Sequence, residues 1–570
     1  MEVTKLNFEE VFPDIVNDIE NASFLCIDGE FTGLNNGHNV NAFDTPAESY
    51  LKIRAGSMDF LFIQFGLSIF TQDEKTGRYK NKTYVFYLFP RPVNRLAPDT
   101  RFLCQTSSID FLVSNNFDFN KLFREGIPYL NSSDESQLAD AMEVKRSYKA
   151  NQVKDSSPQT IPVPKQFKST IDSAMKKIDQ VVNGKEIEVK IDKCSGFVRK
   201  LIYQTFEEKY KNVEGIILKS EGGGMLCKKG AEDLMEEKDA KELAAAVGFS
   251  KVVREISAKG KLVVGHNMLL DVCHLVQRFL DPLPPDYNDF KEMIHTLFPK
   301  IIDTKLICAE DAIKQTINGS TLEMLIDTMS KPPFHLPEID GEEGYSYVLS
   351  DVKYHNAGYD AFITGTVFLS LIRAIDPDNK TSSIKNCKPI EKYMNKLFLM
   401  KAPDTCMDLV NPDPEPSRDH VFHVTFPKHW NANNIQKLFS PFGSTQLFWL
   451  SDTAAWVSLY QREESHKVMK ALENSSKLPS GVTVLSYQRF IREKGAAISP
   501  RPNKRKHGNE NASEEGKRKK SSPNDMRSNR SNRKISPIPE EVNSCELEVK
   551  KLEDSANIPG SEFDIDQSWG

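Results

Sequence analysis

No two of the nine cysteines form a C-x-x-C pair, and they lie scattered along the chain. That pattern excludes a zinc ribbon or a disulfide frame and points to reduced thiols, as in the cytosol or nucleus. No apolar run reaches the roughly 18 residues of a membrane span, so no membrane partner is expected. The start, Met1-Glu-Val-Thr-Lys-Leu-Asn-Phe8, lacks the features of a signal peptide. There is also no global excess of positive charge: the net charge is −6. Any site for a polyanion must therefore be local. One core rarely grows past about 250–300 residues, so 570 residues imply several domains.

What is present begins with Phe24-Leu-Cys-Ile-Asp-Gly-Glu-Phe31. An apolar run of this kind reads as a buried central strand of an α/β sheet. It ends in two carboxylates, Asp28 and Glu30, at i and i+2. Strand side chains alternate faces, so both point the same way. Like charges repel and burial penalises each, and a divalent cation relieves both costs. The plainer alternative is a strand edge whose acids face water, and more ligands elsewhere are needed to decide.

Around this strand the chain divides by composition. Residues 5–20 read as a helix. Asp59–Phe70 and Thr83–Phe89 alternate as the arms of a hairpin. The stretch from Asn131 to about Lys165 is polar and proline-bearing, and reads as a linker. Residues 165–230 follow as a small helix–strand–helix–strand unit. Within it Arg199 and Tyr203 share a helix face. They could grip a phosphate and stack a base, or be a solvated Arg beside a core-edge Tyr. A charged helix, 232–246, leads back to α/β pattern at Lys261–Gly265, Ile301–Lys305 and Tyr354–Leu369. Residues 420–490 then repeat the βαββαβ order of an RNA-recognition motif. The last segment, 494–570, is poor in aliphatics. Twelve Lys/Arg oppose four acids over 501–534, and nine acids oppose two Lys over 540–566. Such a tail is expected to be disordered. Lys504-Arg-Lys506 and Lys517-Arg-Lys-Lys520 could be nuclear import signals or a phosphate grip.

Further acids stand at element ends. Asp271 falls in the first turn of a helix after Gly265-His-Asn, and Asp360 inside the helix that follows Tyr354. Strand ends are where α/β sheets bind ligands. Asp28, Glu30, Asp271 and Asp360 are thus candidate ligands for Mg2+, which prefers carboxylate oxygens and keeps several waters. Two divalent ions about 4 Å apart would clamp the attacking and leaving oxygens of a phosphodiester displacement. His355 could take the proton from the attacking water. Five helical steps would leave it roughly 140° from Asp360, so it is expected at or before the helix start. His266 is expected to satisfy the turn, and His274 to sit on the helix surface.

Together these motifs, Asp28-x-Glu30, His266-Asn-x-x-x-Asp271 and His355-x-x-x-x-Asp360, resemble the DEDD superfamily of 3′→5′ exonucleases. The histidine spacing marks its DEDDh branch. Longer strings, among them Ser57-Met-Asp-Phe-Leu-Phe-Ile-Gln-Phe-Gly-Leu, Gly126-Ile-Pro-Tyr-Leu-Asn and Asn395-Lys-Leu-Phe-Leu-Met, are similar to poly(A)-degrading members over about residues 1–490. The resemblance implies an α/β fold: a discontinuous RNase H-like nuclease domain (1–150 and 235–400), an inserted Arg-xxx-His-like nucleic-acid-binding domain (165–230), an α+β RNA-recognition motif (418–490) and the tail. The insert departs from its pattern, with Tyr203 where the histidine would be.

The implied function is a Mg2+-dependent deadenylase acting on single-stranded poly(A) RNA. Asp28 would bridge two ions, Glu30, Asp271 and Asp360 would complete their shells, and His355 would be the general base. Phe31 and Lys305 would line the RNA path, and Trp449 would stack on a 7-methylguanosine cap. The RNA-stacking strand keeps one aromatic, Trp456, set beside Phe422, so ordinary base stacking there is not expected. A homodimer in nucleus and cytoplasm is implied as well. Three rivals are a membrane-anchored relative trimming small non-coding RNA precursors, an inactive RNA-binding scaffold, and a non-enzymatic interaction protein.

Overall fold

The computed structural model describes residues 1–155, 161–210, 213, 216–229, 231–379, 383–384, 387–402, 404–473 and 478–498. Its first strands are β1 (Glu2–Val3), β2 (Phe24–Phe31), β3 (Phe62–Gln72) and β4 (Tyr79–Tyr87). The expected hairpin is β3–β4, antiparallel throughout. After an insertion come β8 (Val263–Gly265), β9 (Ile301–Asp303), β10 (Ile339–Gly341), β11 (Lys396–Phe398) and β12 (Cys406–Asp408). These nine strands form one mixed sheet in the order β1-β4-β3-β2-β8-β9-β11-β12, with β10 pairing β4. β2 is central as expected, between antiparallel β3 and parallel β8.

Two apolar cores cover the two faces. Leu25 and Ile27 pack with the helices Phe8–Asn21, Ser250–Lys259 and Leu269–Phe279. Phe24 and Cys26 pack under the long helix Ala357–Ile375. That helix is apolar nearly all round because sheet and flanking loops bury it. Its length and composition would suit a membrane span, but it is the core helix of this domain. Gly365 lies against Cys26 and Phe70, and Phe368 meets Phe24 edge-on at 5.3 Å. The helix start therefore lies toward the far end of β2, where Asp28 and Glu30 are.

The insertion holds β5 (Glu188–Ile191), β6 (Ile216–Glu221) and β7 (Gly224–Lys229), an antiparallel sheet in the order β5-β7-β6. β7 was not expected from the sequence. Gly222 and Gly223, both at positive φ, turn the chain back into it. Arg199 is a brace in this unit: its Nη1 donates to Cys194 O at 3.0 Å and Gly223 O at 2.7 Å.

The expected linker from Asn131 is instead mostly a helix, Ser132–Asp155. Its polar surface hides a short apolar stripe. Leu138 and Met142 are buried with Leu130 and Ala246, the last on the helix Ala231–Val247. Ser156–Thr160, and the tail from Pro500 with the residue before it, lie outside the described residues.

The C-terminal motif has β13 (Val421–Thr425), β14 (Thr445–Ser451), β15 (Ala454–Leu459) and β16 (Thr483–Ser486) in the order β14-β15-β13-β16. Phe422, Val424 and Phe426 face its core. Trp456 is therefore not beside Phe422. It pairs with His423 on the other face. The last strand ends at Ser486, because a helix begins at Tyr487. By its contacts the chain forms one unit from Met1 to Tyr487 and a second from Gln488, described only as that helix.

Candidate active site

Alternation along β2 puts Asp28 and Glu30 on the face covered by the long helix. Asp28 is opposite Gly66 and Glu30 opposite Gln64, and a register shift follows between Glu30 and Phe31. Gly29 opens the strand to a third acid. A Cβ there would stand 2.8 Å from Asp271 Oδ1 and 2.1 Å from the Phe62 ring. Only glycine lets that carboxyl come so close.

Asp271 is carried by the first turn of Leu269–Phe279, and a buried acid the sequence reading passed over holds that turn. The Asp303 carboxylate accepts N–H groups from Asn267 (2.8 Å), Met268 (3.1 Å), Lys305 (3.0 Å) and Phe398 (3.1 Å). Its signal was an aspartate closing a short strand before a helix, which is an N-cap position. His266 satisfies the turn as expected: Nδ1 meets Thr304 Oγ1 and Nε2 meets Ser320 O, each at 2.8 Å. Burial pushes its pKa down to about 3.

His274 is a correction. It is not on the helix surface but fully buried (0% exposed), between the rings of Phe31 and Phe62. The helix is apolar on more than one side, so a lone histidine followed the core. Phe31 is the second. It is 5% exposed and packed on Phe62 and His274, which leaves it little face to present to RNA. Alternation along β2 sets it on the core face with Leu25 and Ile27. Lys305 is tied down, its Nζ donating to Ser320 O at 2.7 Å.

The last pair comes from the long helix. Asn356 caps it, accepting Tyr359 N–H at 3.2 Å. Asp360 lies in the first turn, and His355 precedes the cap at φ 65°, as expected of a residue outside the helix. The His355 N–H donates to Asp360 Oδ2 at 2.8 Å. Its ring stands edge-on to Phe111, centroids 4.5 Å apart.

The acids meet. One ligand atom each from Glu30, His355 and Asp360 lie within 4.8 Å of one another. Burial first, and then the charges of Asp28, Asp360 and Asp271, hold Glu30 protonated well above the usual carboxylate range. Burial and the charge of Asp28 do the same to Asp271 and Asp360. Asp28 itself is pushed up to about 7 by desolvation. Asp271 Oδ1 is buried without a hydrogen-bond partner. Three carboxyls raised by burial and by the charge of Asp28, with one oxygen left orphaned, are together with Asp28 a donor set suited to a hard divalent cation.

Residues 3–368 match the CAF1 family ribonuclease model, and 411–493 match an RNA binding domain model. Poly(A)-specific ribonuclease PARN of Xenopus laevis is 39% identical over 520 residues, covering 87% of this chain and 82% of that protein. The pre-piRNA 3′-exonuclease trimmer of Bombyx mori is 27% identical, covering 83% and 92%. The Mg2+- and Mn2+-bound structure of S. pombe Pop2p covers 70% of this chain and 98% of its own, with 15% identity and a TM-score of 0.34. On the family match over most of its nuclease portion and on the PARN identity, this chain belongs to the CAF1 ribonuclease family.

Proposed function

We propose that this protein is a 3′→5′ exoribonuclease that shortens poly(A), releasing AMP, with two Mg2+ ions held by Asp28, Glu30, Asp271 and Asp360. The observation that carries the reading is the meeting of Glu30 and Asp360 with His355, with Asp28 and Asp271 near enough for their charges to act on Glu30. Bound ions would supply Lewis-acid stabilisation of the phosphoryl oxygens and a readily deprotonated water. Within that reading Asp28, the acid whose charge acts on the other three, would help hold both ions. His355 takes the proton of the attacking water. Burial lowers its pKa below the usual imidazole range, so the ring is neutral and able to accept at neutral pH. Its backbone N–H, by holding Asp360 Oδ2, orients the acid it works beside.

The RNA would enter past Lys305, whose present bond to Ser320 O would be exchanged for a phosphate. Trp449, 47% exposed on β14, is our candidate to stack on a 7-methylguanosine cap. A homodimer through the nuclease domain, and action in both nucleus and cytoplasm, complete the proposal. Trimming of small non-coding RNA precursors is the second reading. It draws on the trimmer relative, but lower identity sets it behind the first.

Asp28→Ala and Asp360→Ala test the reading directly. Each should cut 3′ trimming by ~1,000-fold or more, since each removes several kcal/mol of charge stabilisation in the transition state. RNA affinity, measured by filter binding, should change little. Full activity in either variant would remove the mechanism.

A further inference from the structure

Asp28 and Glu30 reach the site with the sheet, whereas His355 and Asp360 reach it with the long helix. The distance between the two pairs is fixed where helix meets sheet. The residue opposite Glu30 on β3 is Gln64, and the one opposite Asp28 is Gly66. Directly paired residues of antiparallel strands share a face, so Gln64 and Gly66 stand on the carboxylate side. Both touch Ala357, the first residue of the helix. Gln64 Oε1 accepts the Ala357 N–H at 2.9 Å, and a Cβ on Gly66 would lie 1.9 Å from Ala357 O.

That N–H is among the first amides of the helix, which have no acceptor within it. Gln64 is 1% exposed, and its amide is also engaged with the Tyr87 side chain, so it has no water to turn to. The residue before Ala357 is held as well: the Tyr347 hydroxyl donates to Asn356 Oδ1 at 2.8 Å. His355 comes next, at a positive φ that non-glycine residues seldom adopt. The turn bearing the histidine and the last acid is thus pinned to the strand beside the first two acids.

We propose that Gln64 is the positioning residue that sets the spacing between the β2 carboxylates and the His355–Asp360 turn, and through it the affinity of the site for divalent cations. This rests on the metal-site reading above. Gln64 acts through Ala357 and does no chemistry itself.

The test is Mn2+ titration calorimetry on the full chain without RNA, with kcat and KM on oligo(A) beside it. Gln64→Met keeps the volume and loses the acceptor. It should raise the Mn2+ Kd and lower kcat by about 10-fold or more, as supporting groups around metal ligands do. KM should stay within about twofold, because only the chemical step is disturbed. Gln64→Glu keeps an acceptor oxygen at the same reach for the Ala357 N–H, so its Mn2+ Kd should stay within about threefold of the native chain. Native-like Mn2+ affinity and kcat in Gln64→Met would overturn the inference and leave the metal site standing. A Mn2+ Kd raised about 10-fold or more in Gln64→Glu, which keeps the acceptor, would overturn it too, and this arm decides if Gln64→Met does not fold. If the native chain binds no Mn2+, the metal reading itself fails.

Discussion

Replacing His274 by leucine should leave stability unchanged or raise it by up to ~2 kcal/mol, because the histidine buries two ring nitrogens that have no hydrogen-bond partner. Burial holds its pKa well below the usual value, so the ring is neutral and contributes shape rather than charge. Urea unfolding of His274→Leu checks this, and a loss above ~2 kcal/mol would mean that the ring is partnered after all. The residue also marks where sequence reading stops. Asp28, Glu30, Asp271, His355 and Asp360 were legible because each closes or opens an element, where a charge needs a reason. His274, three residues from Asp271, carried no such mark: whether a histidine in an apolar helix faces water or core depends on what packs on it. Phe31 is buried for a plainer reason: alternation along β2 sets it on the core face with Leu25 and Ile27, away from Asp28 and Glu30.

At the scale of elements, the helix Ala357–Ile375 shows what packing demands of sequence. It crosses the face of β2 and β3 so closely that glycines stand at Gly66, Gly358 and Gly365, where a Cβ would strike backbone or side chain. Gly66→Ala should cost about 1–3 kcal/mol, the usual penalty for forcing extra volume into a packed contact. It should also depress 3′ trimming, because the helix carries Asp360. Thermal unfolding and the oligo(A) rate give the two readings, and an unchanged melting temperature would contradict the close approach. Period-two and helical patterns gave β2, the β3–β4 hairpin and the long helix. They failed at Ser132–Asp155, where polar residues outnumber a stripe that needs only Leu138 and Met142 to be buried. They failed again at β7, whose existence depends on a two-glycine turn rather than on its own composition.

At the scale of the whole molecule, the chain covers part of its own RNA-recognition sheet. Phe43, in the loop after β2, stands edge-on to Phe448 at 5.1 Å and to Trp456 at 6.0 Å. Arg418 is buried among them. Its guanidinium donates to the Asp404 carboxylate, to Phe43 O and to the Tyr487 hydroxyl, all at 2.7 Å. The face that carries Trp456 is therefore spent on holding the domain to the nuclease, a use no motif announces. Trp449 is left half exposed on the opposite face, edge-on to Phe426 at 5.6 Å. Trp449→Ala should lose affinity for a cap analogue by ~10-fold or more, the worth of one stacked cationic ring, while uncapped oligo(A) is trimmed at the native rate. Unchanged binding in a fluorescence titration would remove Trp449 from the cap proposal. The central claim is that the acids of β2 and of the two helices hold divalent cations against an RNA 3′ end. Its most direct test is a 3′-labelled oligo(A) incubated with the full chain in Mg2+ and then in EDTA. The account predicts labelled AMP as the first product in Mg2+ and none in EDTA; trimming that persists in EDTA would contradict it.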